Sequence, residues 1–338
     1  MATRKQWRSV VLLAMVVLVG RSALAGVGRD DRPEWIHRLL AQLTPNVASV
    51  YAGDTWIGSG VLIEDEWLLT AAHVVDLVPY YGQASALFGD TSYAVDVTVR
   101  PAQWTGLFYL GWDVAMLHVE TPVTGVRPAR RYRGSRELNR AGLLSGYGYP
   151  GTGDVGYDVA AYDEERRAGF NKISDYYDPL GITTSDQWLV MDFDNPGNRD
   201  DSYYDPKRPL GLEFFPSPGD SGGGLFIGGR LAGIISWGIG FDGDIDSDYG
   251  DVALASRVSY YNGWIDSLLA YWDENGGLPD DLTDSPGSAP TDPGLDALAS
   301  IEFRAFTPAA VPEPGTLALL GLGAVMLIRR RRRPGRDR

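Results

Sequence analysis

The chain has no cysteine among its 338 residues. No disulfide can form, so the fold must hold by packing alone, even in an oxidising compartment. Histidine is nearly as scarce. His37, His73 and His118 are the whole supply, and any chemistry that needs an imidazole must use one of them. Positive charge is short as well: 30 Lys plus Arg stand against 44 Asp plus Glu, a net charge of −14. Many of those cations lie at the two ends, so the middle of the chain is more acidic still. This balance argues against nucleic acid or anionic lipid as a partner, and for solubility outside the cell. There is no internal repeat beyond two strand-rich halves, and long apolar runs occur only at the ends.

Those ends read as processing signals. Arg4, Lys5 and Arg8 precede an apolar run from Val10 to Val19, and Ala23-Leu24-Ala25 offers a small-residue cleavage site. Residues 1–25 are therefore expected to be a signal peptide, cut before Gly26. As a permanent anchor the run is too short to span about 30 Å of hydrocarbon. At the other end, Val311-Pro312-Glu313-Pro314 is followed by an apolar segment, Leu317–Ile328, and then Arg329–Arg333. This tail resembles the PEP-CTERM sorting signal of Gram-negative bacteria, over residues 311–333. The resemblance implies export across the inner membrane and processing by an exosortase-type membrane enzyme. Display in the envelope or release outside the cell would follow. A plain single-pass anchor is the alternative. Between fold and tail, residues 274–310 are rich in Pro, Gly, Asp and Ser, the composition of a disordered linker; Ile301–Phe306 is its one short strand candidate.

Within the mature chain, residues 26–45 form an N-terminal extension. A helix is predicted over Asp30–Leu43, with Trp35, Ile36, Leu39, Leu40 and Leu43 on its apolar face. His37 on that helix reads as structural. From Asn46 the pattern is short strands rich in β-branched and aromatic residues: Val47–Tyr51, Trp56–Ile63, Trp67–Ala71, Val95–Arg100 and Asp113–Val119. A second strand-rich half follows, with Leu143–Tyr147, Trp188–Asp192, Leu225–Ile227, Leu231–Trp237 and Val252–Val258. Gly228-Gly229 joins the third and fourth of these as a hairpin turn. Ser259–Trp272 reads as a closing helix, with Trp264, Ile265, Leu268 and Leu269 docked on the strands.

One stretch carries chemistry: Pro218-Gly219-Asp220-Ser221-Gly222-Gly223-Gly224. Its glycines allow a tight turn and leave backbone N–H groups free to converge. Those of Gly219 and Ser221 are candidates to hold the oxygen that turns negative in acyl transfer. A bare Gly-x-Ser-x-Gly also fits the α/β-hydrolase elbow, but that fold needs its histidine after the serine. Here all three histidines precede Ser221. An aspartate-first order would need an acid upstream of His73 in a parallel α/β pattern, which the sequence does not show, so the order histidine, aspartate, serine is left. His73 follows Thr70-Ala71-Ala72. Asp113 opens the apolar Val114–Leu117, with Asp76 and Asp90 as the substitutes. His118, five positions on, points to the other face of that strand and reads as structural.

Taken together, Thr70–His73, Asp113–Leu117 and Gly219–Gly223 resemble the three signature blocks of trypsin/chymotrypsin-like serine proteases, and the resemblance runs from about Val47 to Leu269. It implies an all-β fold of two six-stranded antiparallel barrels with a C-terminal helix. The domain would span 46–273, with barrels at about 46–128 and 140–258, a helix at 259–272 and the site in the cleft between barrels. It implies Ser221 as nucleophile, His73 as base and acid, and Asp113 as the residue orienting His73. Ser236, Trp237 and Gly238 fall on the family's substrate-binding strand. Counting back along the serine loop puts Phe215 at the specificity position, with Gly238 and Ala253 as pocket walls, so a small or apolar pocket is expected. Two departures stand out. No Ile-Val-Gly-Gly start lies upstream of the first barrel; Asp220, which would pair with such a terminus, is expected to bond to backbone or a nearby side chain. Gly224 replaces the family's proline, which should loosen the loop slightly.

The expected function is a secreted serine endopeptidase acting on polypeptides, without a cofactor and as a monomer. The alternatives are a catalytically silent surface or matrix binding protein on the same fold, and an exported esterase using the same residues. The loop Phe241–Asp251 is strongly acidic; Asp242, Asp244 and Asp246 are the residues on which calcium binding would rest, although the loop lacks the glycine and closing glutamate of an EF-hand.

Overall fold

The computed structural model describes residues 26–107, 110–177, 181, 186–242 and 244–278, and the backbone of 301–303. The expected signal peptide, most of the linker and the sorting tail lie outside the described residues. Among the described residues, no helix is long and apolar enough to cross a membrane.

The first half is built from β2 (Val47–Ala52), β3 (Thr55–Glu64), β4 (Trp67–Thr70), β5 (Ala84–Phe88), β6 (Thr91–Pro101) and β7 (Ala115–Val119). All pairings are antiparallel, in the order β5-β2-β3-β4-β7-β6, and β6 pairs back to β5. The six strands thus close into a barrel, which removes free edges. Leu62, Leu68, Leu69, Met116 and Leu117 are all fully buried, so both faces of these strands are covered. Each such side chain contributes about 1.5–3 kcal/mol. β17 (Ile301–Phe303) adds to β6 antiparallel, so the one strand candidate in the linker is paired with the barrel.

The second half comprises β8 (Ala141–Gly146), β11 (Arg167–Lys172), β12 (Trp188–Asp192), β14 (Gly224–Ile227), β15 (Arg230–Ile239) and β16 (Val252–Arg257). Its six strands run antiparallel in the order β11-β8-β14-β15-β16-β12. The end strands approach each other: Asn171 Nδ2 donates to the Asp192 carbonyl at 2.9 Å. No ladder joins β11 to β12 among the described residues, so this half curls without closing fully.

A smaller sheet was not legible in the sequence. β1 (Gly26–Gly28) lies between β9 (Pro150–Thr152) and β13 (Phe214–Phe215), with β10 (Gly156–Tyr157) outside β9. β1 is parallel to β9 and antiparallel to β13, and all three of its residues are buried. The first residues after the expected cleavage point are thus an inner strand.

Helix α1 covers Trp35–Ala41, shorter than Asp30–Leu43. Its buried residues are His37 and Ala41, while Trp35, Leu39 and Leu43 are exposed, so the apolar face expected from the sequence is not the docked one. Polar contacts decide the orientation. His37 Nδ1 donates to the Ala168 carbonyl of β11 at 3.0 Å. Glu34 just before the helix takes the guanidinium of Arg167, itself 1% exposed.

Two short helices, α2 (Ala72–Val75) and α3 (Val78–Tyr81), follow β4, and the long helix α4 (Val258–Asn275) closes the fold. α4 buries Val258, Tyr261, Trp264, Ile265 and Leu268, close to the expected face. It ends at Gly276, whose φ of 66° is the left-handed turn that favours glycine. Trp272 near its end packs edge-on against Trp67 at 5.1 Å and lies 4.2 Å from the His118 ring. His118 also bonds Asp96 at 2.6 Å, which places it on the barrel's outer face.

The segment between the halves is fixed to this helix by ions. Glu137 is fully buried and accepts two bonds from Arg257 at 3.0 Å and one from the Ser259 hydroxyl at 2.6 Å. Burial alone would raise its pKa; the Arg257 and Ser259 bonds outweigh it and hold the carboxyl below the ordinary value. The stabilisation is therefore present above the unfolded carboxylate range and is lost as pH falls through the folded value. Glu137→Ala strands Arg257 in a buried place. Urea unfolding at neutral pH should show a loss of about 3–5 kcal/mol, and an unchanged midpoint would refute this account of the segment between the halves.

Candidate active site

His73 lies in α2, one turn beyond the end of β4. Thr70 ends that strand by donating its hydroxyl to the Ser59 carbonyl at 2.7 Å. Asp113 sits just before β7 and is 0% exposed. Its Oδ1 accepts the His73 main-chain N–H at 2.9 Å and its Oδ2 accepts His73 Nδ1 at 2.8 Å. Oδ2 also accepts the Ser236 hydroxyl at 2.5 Å. From β16, the Ser256 hydroxyl donates to the Asp113 carbonyl oxygen at 2.6 Å. Burial would raise the pKa of Asp113, but the charge and hydrogen bonds of His73 and the bond from Ser236 hold it below the usual carboxylate value. An ionised Asp113 fixes the His73 tautomer, with the proton on Nδ1, and turns Nε2 into the basic ring atom.

Of the two substitute acids, Asp76 pairs with Arg100 and accepts the Trp104 indole N–H at 2.9 Å, while Asp90 is exposed in the β5–β6 turn. Asp113 is the one that meets His73.

Ser221 reaches the same point from the second half. Its hydroxyl donates to the Ser236 carbonyl at 3.4 Å, so Ser236 touches Ser221 through its backbone and Asp113 through its side chain. The serine loop turns on two glycines. Gly219 has φ 96° and Gly222 has φ 84°, and a Cβ on Gly222 would run into the Ser59 carbonyl and Thr70 Oγ1. Ser59 on β3 holds the loop by donating its N–H to the Ser221 carbonyl at 2.8 Å and its hydroxyl to the Gly219 carbonyl at 2.9 Å. Among the described residues, the N–H groups of Gly219 and Ser221 have no acceptor within the protein. Gly224 belongs to β14 and is laddered to both Ser145 and Ile234, so the missing proline does not loosen the loop there.

Asp220 is fully buried and accepts from Gly148 N–H at 2.8 Å, from Ser217 N–H at 2.9 Å and from the Ser217 hydroxyl at 3.3 Å. It thus bonds to backbone and to a neighbouring side chain at once. Burial pushes its pKa up to about 6 against the pull of those donors.

β15 carries Ser236, Trp237 and Gly238 beyond the last residue that β14 pairs, toward the cleft. Trp237 is half-buried and stands edge-on to Trp188 at 6.2 Å. Phe215 is 2% exposed, pairs with Val27 in the small sheet and stacks on Phe193 at 5.5 Å. Its ring is thus packed in the core of the second half. Ala253 is buried on β16 opposite Gly238. In the acidic loop, Asp246, Asp248 and Asp251 bring carboxylate oxygens within 4.8 Å of one another. Of the three residues named for calcium, only Asp246 belongs to that group. Burial, reinforced by the neighbouring aspartates, pushes Asp248 up to about 6 and Asp251 up to about 8. Burial likewise raises Asp192 to about 6 and Glu213 to about 8.

The sequence reading missed Ser236 as a donor to Asp113, and missed Ser59, Ser217 and Ser256 altogether. Single serines on strands leave no local signal; only the pairing of distant strands gives them partners.

Residues 38–167 match the trypsin family, and residues 310–333 match the PEP-CTERM protein-sorting motif. The trypsin match takes in His73 and Asp113 and stops short of Ser221. Among solved structures the chain is similar to mouse neuropsin, a serine protease expressed in the limbic system of mouse brain. The identity is 19%, the TM-score 0.51, and the likeness covers 72% of this chain and 98% of that one. At that identity the likeness speaks for the fold.

Two expectations follow. Asp220→Ala removes the acceptor of two buried N–H groups, and chemical unfolding should show a loss of about 2–4 kcal/mol; a loss under about 0.5 kcal/mol would contradict the geometry. The five raised carboxylates give the pH dependence. Between about pH 4, where free carboxylates titrate, and about pH 8, the folded state holds more protons than the unfolded chain. Stability therefore falls as pH rises through that window. The melting temperature should be higher at pH 5 than at pH 8.5 at equal ionic strength, and the reverse order would refute the assignment.

Proposed function

We propose, from the match of residues 38–167 to the trypsin family and of residues 310–333 to the PEP-CTERM protein-sorting motif, that this chain is an exported serine endopeptidase, delivered through an exosortase-type sorting system. The observation that supports this best is the meeting of three distant side chains at Ser236: its hydroxyl on Asp113, Asp113 on His73, and its carbonyl under the Ser221 hydroxyl.

In this reading His73 Nε2 takes the Ser221 proton as Oγ attacks the carbonyl carbon of an extended peptide. The new oxyanion points at the N–H groups of Gly219 and Ser221. Asp113 stabilises the imidazolium that forms. The tetrahedral species then collapses: the C–N bond breaks and His73 gives its proton to the leaving amine. An acyl ester remains on Ser221. Water repeats the cycle, with His73 again as base, and releases the acid. The acyl side of the substrate would pair with the backbone of Ser236–Gly238 as an added strand. The dense negative charge of the loop Phe241–Asp251 lies near that strand and favours substrates with basic residues on the acyl side.

The mature enzyme, with residues 1–25 removed, should hydrolyse casein and take a fluorophosphonate label on Ser221. Ser221→Ala should abolish the label and lower the rate about 10⁴–10⁶-fold. Casein hydrolysis undiminished in that variant would reject the assignment. A wild-type protein that never labels would favour a silent binding protein.

A further inference from the structure

Trp112 comes immediately before Asp113, and its backbone lies in a region that side chains avoid. Its φ is 62°, and for so bulky a residue the left-handed region is a genuine outlier. Gly111 before it turns the same way, with φ 89°. Beyond it, Val114 N–H donates to the Trp112 carbonyl at 2.8 Å, which folds the chain tightly around Asp113. Released from this shape, Trp112 would relax to negative φ. The peptide unit that enters Asp113 would then swing, and the carboxylate would be carried off the line to His73.

What holds this turn comes from far along the chain. Trp112 N–H donates to the Tyr261 hydroxyl oxygen at 3.1 Å and to Gln187 Oε1 at 3.3 Å. The Tyr261 hydroxyl donates to the same Gln187 Oε1 at 2.9 Å. Three groups thus close a ring of hydrogen bonds in which the hydroxyl both gives and receives. Tyr261 stands on α4 and Gln187 just before β12; they are 1% and 2% exposed, so water has little access to the ring. Gln187 is itself fixed. Its carbonyl accepts Arg257 N–H at 2.8 Å, and its side-chain amide packs on Gly111, where a Cβ would run into it. The Trp112 ring lies edge-on to that of Tyr261 at 5.4 Å. Burial, helped by the nearby charge of Asp113, holds the Tyr261 hydroxyl well above the ordinary phenol value, so it keeps its proton. His73 and Ser236 account for where the Asp113 oxygens end, but not for the direction from which the backbone presents them.

Building on the serine endopeptidase reading, we propose that Tyr261, assisted by Gln187, is a positioning residue: its hydroxyl holds Trp112 in the left-handed conformation and so aims the Asp113 carboxylate at His73. A tyrosine that served packing alone would need only its ring. Backbone strain of this kind persists where the surroundings over-determine it. Here the surroundings are two side chains delivered by the second half and by α4, so the closing helix reaches the catalytic acid through one hydroxyl.

Tyr261→Phe separates the two roles, because it keeps the ring and removes only the hydroxyl. The mature chain, with residues 1–25 removed, is titrated with a fluorophosphonate so that kcat is counted per reactive serine. On a peptide nitroanilide, kcat should fall about tenfold while KM stays at the wild-type value. The proton in the Asp113–His73 hydrogen bond, deshielded by its charged acceptor, gives a far-downfield proton NMR signal, which should move upfield in the variant. Gln187→Met keeps the length of the side chain and loses Oε1. It should show the same two changes, and it decides the matter if Tyr261→Phe does not fold. An undiminished kcat, a loss carried by KM instead, or a fall in kcat with the downfield signal unmoved overturns the positioning role and leaves the protease reading intact. Wild-type protein that takes no fluorophosphonate overturns both.

Discussion

A single carboxylate with no access to solvent holds the two halves of this protein in register. Asp113 belongs to the first barrel, yet two of its partners, Ser236 and Ser256, come from the second half. Left alone in such a place, an ionised carboxylate would cost several kcal/mol. Its charge is tolerable only where α2 and β15 arrive with their donors, while β16 holds the Asp113 main chain. The same group that polarises His73 thus also requires that the cleft be assembled before it can carry its charge. Any packing of the halves that displaced β15 would strip a donor from Asp113 and would at the same time move the carbonyl on which Ser221 rests.

The serine loop is gripped in a similar way, from three directions. From below, Asp220 draws together Gly148 and Ser217. From the first barrel, Ser59 takes hold of two loop carbonyls. From the second half, the main chain of Ile235 bonds to Gly222 and Gly223. Among the described residues the N–H groups of Gly219 and Ser221 are left without an acceptor, on a loop whose carbonyls are held. Under the proposed function, donors fixed beforehand would need no rearrangement as charge develops. β1 contributes at one remove: by pairing with Phe214–Phe215 it steadies the segment that leads into this loop.

The sequence made the recurring parts legible. Runs rich in β-branched and aromatic residues located β2, β3, β4, β7, β12, β15 and β16 to within two residues, and the apolar stripe of α4 was read correctly from Trp264, Ile265 and Leu268. The three signature blocks located His73, Asp113 and Ser221. What escaped is what depends on partners far along the chain. β1, β9, β10 and β13 are two or three residues each, made of Gly-Val-Gly, Pro-Gly-Thr, Gly-Tyr and Phe-Phe. No period can be read from so few positions, and they become strands only through one another. The face of α1 was misread for a related reason. Its leucines obey the helical spacing, but the ion pair to Arg167 and the bond to Ala168 turn His37 inward instead. Ser236 donates across 123 positions to Asp113, a separation that strand periodicity cannot anticipate.

The charge of the chain has a spatial order that composition conceals. Four of its arginines lie inside. Arg29, Arg100, Arg167 and Arg257 are all at most 6% exposed, and each has a carboxylate partner: Asp31, Asp76, Glu34 with Asp163, and Glu137 with Asp186. These pairs sit at junctions: the N-terminal strand, the contact of β6 with the end of α2, the docking of α1, and the crossing between halves beside α4. A buried ion pair adds little over a well-packed apolar contact, but breaking one is expensive, so it punishes misregistered packing more than it rewards correct packing. In a domain without disulfides that penalty does the work of a crosslink in rejecting wrong assemblies. Acids without a cation are divided between two environments: Asp192, Glu213 and Asp220 are buried and accept main-chain N–H groups, while others gather in the loop Phe241–Asp251. The arginine pairs therefore fix the junctions, and the buried carboxylates without a cation hold main-chain segments by hydrogen bonds alone.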